Sequence, residues 1–129
     1  MALRCLIVDD SKSFLQAART VLEREGLIIA GIASTGNEAL LRTDELRPDV
    51  ILVDITLGEE SGFDLARRLA EKDPAGRSSV ILISTHAEAD FEDLIAASSA
   101  VGFLPKSKLS AKAISGILGG RRSPDAPVA

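Results

Sequence analysis

The chain has 129 residues, enough for one domain with its own core and short for two of ordinary size. Aromatic residues make up 3% of it, with no Trp or Tyr, so its core must be aliphatic and it lacks stacking platforms for single-stranded nucleic acid. A formal net charge of -4 argues against a phosphate-backbone binder, and no apolar stretch has the length of a membrane span or the flanks of a signal peptide; a cytoplasmic chain with no direct nucleic-acid or membrane partner is expected.

Five apolar runs rich in β-branched residues alternate with segments of helical period: Leu3 to Val8, Leu27 to Ala33, Val50 to Val53, Val80 to Ile83 and Val101 to Leu104. This is the pattern of parallel strands joined by crossover helices, and it predicts an α/β domain. The first run holds Cys5, the single cysteine, which excludes an intrachain disulfide and reads as a buried thiol in a reducing compartment. Asp9-Asp10 closes that run, after which Phe14, Leu15, Ala18, Val21 and Leu22 share a helical face that Gly26 is placed to stop. Thr35-Gly36-Asn37-Glu38 then has the spacing of a capping box for a second helix, with Pro48 beyond its end. Asp54 closes the third run, and Leu65, Ala66 and Leu69 mark a third helix. The fourth run ends at Ser84-Thr85 and precedes a helix carrying Phe91, Leu94 and Ile95; Lys106 follows the fifth. Ala113, Ile114, Ile117 and Leu118 mark the last helix, which Gly116 weakens by ~1 kcal/mol relative to Ala. Residues 1–118 are thus read as the domain, and 119–129, of linker composition, as a disordered tail or a truncated linker.

Right-handed crossovers bring the C-terminal ends of all five strands to one edge, where open α/β sheets bind ligands. Asp9-Asp10, Asp54, Ser84-Thr85 and Lys106 therefore converge. Each residue also has a plainer role. Asp9-Asp10 could cap the first helix, although Ser11 could do so equally well; Ser84 and Thr85 could cap the fourth; Lys106 could be a surface lysine. Capping does not explain Asp54, because Ile55-Thr56-Leu57-Gly58 begins no helical period. Two like charges about 4 Å apart repel by ~4 kcal/mol at an effective dielectric near 20, so three carboxylates on one edge imply a metal ion, a lysine or both.

These residues resemble the receiver domains of two-component response regulators over residues 3 to about 118. The likeness is carried by Ile7-Val8-Asp9-Asp10-Ser11, by Ile51-Leu52-Val53-Asp54-Ile55 with Gly62 eight residues on, by Ile81-Leu82-Ile83-Ser84 and by Gly102-Phe103-Leu104-Pro105-Lys106. The resemblance implies a flavodoxin-like five-stranded parallel sheet of order 2-1-3-4-5 with helices on both faces. It implies Mg²⁺ held by Asp10 and Asp54 directly, by Asp9 through water and by the Thr56 carbonyl. It makes Asp54 the acceptor of a phosphoryl group from a sensor histidine kinase or phosphotransfer protein, with Ser84 and Lys106 in attendance. It implies a switch in which Ser84 moves toward the phosphoryl group and Phe103 turns inward. The face of the fourth helix, fifth strand and fifth helix then signals to an output domain or protein. A homodimer formed on phosphorylation stays open.

Some positions depart from the commonest receiver pattern. Gly58 replaces a usual Pro, implying a more mobile loop; Thr85 is bulkier than usual beside Ser84; Pro105 precedes Lys106 where the usual proline follows it. Thr56 and His86 stand where the family tunes phosphoryl lifetime, although a lone loop histidine is ordinarily solvated, and one histidine cannot make a nitrogen-rich metal site. Two other classes compete with a signalling switch that is not a classical enzyme. A dehalogenase-like phosphatase would need a second Asp where Thr56 stands. A receiver-like docking module independent of phosphorylation would not need the complete residue set.

Overall fold

The structure, a computed structural model, describes residues 3–86 and 88–122. Numbering only the strands of the main sheet, the order is β1 (Arg4–Val8), α1 (Lys12–Arg24), β2 (Ile28–Ala33), α2 (Gly36–Leu46), β3 (Val50–Asp54), α3 (Gly62–Glu71), β4 (Ser79–Ser84), α4 (Glu92–Ala97), β5 (Gly102–Pro105) and α5 (Ala111–Arg122). A small antiparallel hairpin, Thr56–Leu57 with Glu60–Ser61, lies between β3 and α3. The five strands are parallel in the order β2-β1-β3-β4-β5, as the resemblance implied.

Burial on both faces explains why the strands read as continuous apolar runs. Leu6, Val8, Ile51, Val53 and Leu82 pack with Leu65, Ala66 and Leu69 of α3, whereas Cys5, Ile7, Val50, Leu52 and Ile81 pack with Leu15, Ala18 and Leu22 of α1 and Ile114 of α5. Alternate side chains thus feed two aliphatic cores, one on each side. The register of β2 on β1 slips between Cys5 and Leu6, so that Ala30 is an extra residue on the outer strand.

Helix ends follow their local chemistry. Ser11 accepts from the Phe14 amide and caps α1, which closes at Gly26 with φ +98°. There the Leu27 amide reaches the Leu22 carbonyl and the Gly26 amide that of Glu23, the paired bonds of a Schellman motif. Thr35 caps α2 through the Glu38 amide, but the Glu38 carboxylate reaches back to the Ser34 amide at 2.6 Å rather than to Thr35.

Three expectations need correction. Val21 is 44% exposed, at the edge of the α1 face. The fourth helix is six residues long and follows a 3-10 turn (Glu88–Phe91), so Phe91 and Ile95 pack on the core while Leu94 is 55% exposed. The last helix continues through Gly119-Gly120 to Arg122, past the boundary expected at 118, because extending a docked helix fixes one residue per hydrogen bond and tolerates glycine at ~1 kcal/mol each. Residues 123–129 of the expected tail lie outside the described residues. Among the described residues no helix is long and apolar enough to cross a membrane.

Burial pushes the Cys5 thiol up from 9.0 to about 12. The unfolded chain releases this proton near pH 9 and the folded chain does not, so stability present below that pH is lost as pH rises toward about 12. Between about pH 8 and about pH 10, urea midpoints should fall more steeply for the native sequence than for Cys5→Ala, and parallel slopes would contradict the burial.

Candidate functional site

Strand register sets the ends of β1, β3, β4 and β5 side by side: Val8 lies opposite Val53, Asp54 opposite Ile83, and Ser84 opposite Pro105. Asp9 is fully buried at the end of β1, Asp10 is exposed beside it, and Asp54 is buried as the last residue of β3. One carboxylate oxygen from each lies within 4.8 Å of the others.

Lys106 reaches into this cluster from the end of β5, its side chain 13% exposed. Its Nζ donates to Asp54 Oδ2 at 3.2 Å and forms an ion pair with Asp9 Oδ2 at 2.6 Å. The same ammonium sits 4.3 Å from the centre of the Phe14 ring, a cation–π contact from α1. Asp9 Oδ1 accepts from the Ser11 amide and Asp54 Oδ1 from the Thr56 amide at 3.1 Å. Because Ser11 caps α1, the aspartate pair is released from that duty.

Burial raises the Asp54 carboxyl above the ordinary range; Lys106 opposes this, Asp9 adds to it, and the Thr56 amide opposes it, for a net upward direction. For Lys106, burial acts downward, but the hydrogen bonds and charges of Asp9 and Asp54 outweigh it and raise the amine. Three carboxylates facing one ammonium leave two net negative charges. Asp9 Oδ2 is buried with the Lys106 ammonium 2.6 Å away. An all-oxygen donor set with surplus negative charge fits a hard divalent cation.

Ser84, buried at the end of β4, accepts from the His86 amide at 3.0 Å, and its hydroxyl is 3.5 Å from His86 Nδ1. It therefore closes a local turn and does not cap α4, whose N-cap position, Phe91, makes no side-chain hydrogen bond. The exposed His86 ring meets Phe91 edge-on at 5.8 Å, and Thr85 is exposed. Phe103, expected to turn inward on signalling, is already buried with Leu82 and Val80.

The loop after Asp54 forms the small hairpin. Gly58 has φ +61° and Glu59 is not in the left-handed region, the signature of a II′ turn that the usual Pro could not enter at that position. Gly62 starts α3 directly against the backbone at the end of β3. A Cβ there would lie 2.7 Å from Ile55 Cα and closer still to the Asp54 carbonyl oxygen, so only glycine fits. Sequence reasoning placed Phe14 only as a core-facing residue of α1 and did not single out Glu60, whose carboxylate bonds the Gly36 amide. Both contacts join elements far apart in the chain and leave no periodic trace.

The family model described as response regulator receiver domain matches residues 5–115. The chain belongs to this family. Among similar proteins, the receiver is 35% identical over 74 residues to the chemotaxis protein CheY of Thermotoga maritima, covering 57% of this chain and 62% of that protein. It is 34% identical over 113 residues to a protein-glutamate methylesterase/protein-glutamine glutaminase of Syntrophus aciditrophicus, covering 85% of this chain but 32% of the relative. The match thus spans less than two thirds of either relative's length. A LuxR-family two-component response regulator from Aurantimonas sp. SI85-9A1 superposes with a TM-score of 0.80 at 25% identity, over 95% of this chain and 89% of that one.

A carboxyl raised by folding adds stability at low pH that is lost as pH rises through its folded value. In chelator at neutral pH, the ionised Asp54 therefore weighs against the fold, and Asp54→Asn should melt higher than the native receiver. Calorimetry showing a lower melting temperature would mean that Lys106 more than compensates the Asp54 charge.

Proposed function

We propose that this receiver is a signalling switch that accepts a phosphoryl group on Asp54 from the phosphohistidine of a sensor kinase or phosphotransfer protein. The observation that carries the reading is the buried Asp54 carboxylate held between Lys106 Nζ and the Thr56 amide at the mouth of the acidic cluster. An Asp54 oxygen attacks phosphorus in line, the N–P bond breaks, and the departing imidazole takes up a proton. The Lys106 ammonium, already inside the site, compensates negative charge on the equatorial oxygens without reorganising. Asp10 and Asp54 would hold Mg²⁺ directly, with Asp9 through water and the Thr56 carbonyl completing the protein donors. Bound there, the ion would supply charge neutralisation.

The aspartyl phosphate adds roughly -1.5 to -2 charges, by analogy with other phosphorylated side chains, and three acceptor oxygens. For Ser84 to turn its hydroxyl toward them it must release the His86 amide, which links the acceptor to the loop leading into α4. With Phe103 already inside, that exchange of partners is the movable part of the switch, and the surface of α4, β5 and α5 is its readout. Thr56 and His86, flanking the site, set phosphoryl lifetime, and Thr85 narrows access. The relatives include a methylesterase and a LuxR-family regulator, which supports an output domain or protein downstream.

Incubation with phosphoramidate or acetyl phosphate should label the chain stoichiometrically only when Mg²⁺ is present, and Asp54→Asn should abolish the base-labile label. Equal labelling of that variant would move the acceptor elsewhere. Labelling of neither protein would favour the docking-module reading. Lys106→Ala should still accept the label yet fail to shift amide resonances on α4, β5 and α5. An unaltered shift would remove the lysine from the response.

A further inference from the structure

The hairpin between β3 and α3 touches the acidic cluster at two points. The Thr56 amide donates to Asp54 Oδ1, and Gly58 at the tip lies against Asp10, where a Cβ would stand 3.7 Å from Asp10 Oδ2. Its inner strand is anchored by Leu57, which is buried among the α3 residues, and its exit by the Gly62 amide on the Ile55 carbonyl at 2.7 Å. The outer strand is held at its end by Ser61, which caps α3 through the Asp64 amide, while the tip has no such anchor among the described residues. A ladder of two residue pairs, Thr56 with Ser61 and Leu57 with Glu60, is far too short to hold itself in water.

Glu60 supplies the missing tie. Both of its carboxylate oxygens accept from the Gly36 amide, at 3.2 and 3.1 Å, in the first turn of α2, where helix N–H groups lack intrahelical partners and the dipole favours an anion. Gly36 is shaped for this contact. It is buried, its φ is not left-handed, and a Cβ on it would collide with Glu60 Oε1. Glycine is otherwise a poor choice inside a helix, costing more backbone entropy than alanine.

We infer that Glu60 is a positioning residue of the metal site: a strut from α2 that holds the hairpin, and with it Thr56 and Gly58, over Asp10 and Asp54. The inference rests on the proposed Mg²⁺ site. It assigns α2, which carries none of the pocket's own side chains, a part in setting cation affinity.

The test is titration of the isotope-labelled full chain with MgCl₂, following the Thr56 and Gly58 amides by NMR. Glu60→Ala should raise the half-saturating Mg²⁺ concentration roughly tenfold, the scale of losing a contact that orients a metal ligand. Glu60→Gln, which keeps an acceptor oxygen, should recover most of the affinity. Gly36→Ala is the decisive variant, because its new methyl group clashes only with the far end of the flexible Glu60 side chain, its other neighbour, Leu65 Cδ1, standing at an ordinary contact distance of 3.7 Å, so that it displaces the carboxylate without blocking folding. A merely structural glycine would make that variant neutral or more stable with unchanged binding; the strut requires weaker binding with a melting temperature no lower than native. The double variant should bind no worse than either single one, since both break the same contact. If native and variant chains bind Mg²⁺ alike, or the two substitutions add, the strut is overturned while the metal site stands. If the native chain binds no Mg²⁺, the metal reading falls and the strut falls with it.

Discussion

The structure depends on keeping acidic side chains at the ends of two adjacent buried strands. Asp9 and Asp54 end up inside the molecule because β1 and β3 are neighbours and their last turns are covered, a costly place for charge. One ammonium, from the far edge of the sheet, makes that tolerable, and the order β2-β1-β3-β4-β5 brings Lys106 within reach. Phe14 lays an aromatic face against the same ammonium, so the lysine is held by two carboxylates and a ring. The pocket thereby carries more carboxylates than cationic partners.

Around this charge problem the backbone is tightly constrained. Gly62 lets α3 begin in contact with the Asp54 carbonyl, and Gly58 lets the chain reverse beside Asp10. Ser84, by contrast, is committed only to a local turn at His86, a bond that another acceptor could replace. The site therefore combines an Asp54 backbone packed tightly against α3 and a Ser84 hydroxyl held only by its own loop.

Much of this was legible in the sequence. The ends of the strands could be read from where aliphatic runs stop, and because crossover handedness sends all those ends to one edge, Asp9, Asp10, Asp54, Ser84 and Lys106 could be gathered without coordinates. Helix stops such as Gly26 and caps such as Thr35 arise from chemistry within a few residues. Contacts across distant elements were not legible: Phe14 under Lys106, or Glu60 on Gly36, depends on packing that no periodicity encodes. Phe91, Leu94 and Ile95 suggest a single helical face because apolar spacing alone does not reveal that a 3-10 turn ends at Phe91 and α4 begins only after it. Gly119-Gly120 resembles a linker in composition, and only docking of Ile114 on the sheet shows why the last helix persists through it.

The extra residue at Ala30 bears on how such molecules meet one another. β2 is an outermost strand, and a smooth aliphatic edge of the kind Ile28-Ile29-Ala30-Gly31-Ile32 would otherwise form is a template onto which another polypeptide can zip. The kink breaks the regular spacing of its outward amide and carbonyl groups midway along. Self-association through a continuous intermolecular ribbon along β2 is thereby discouraged.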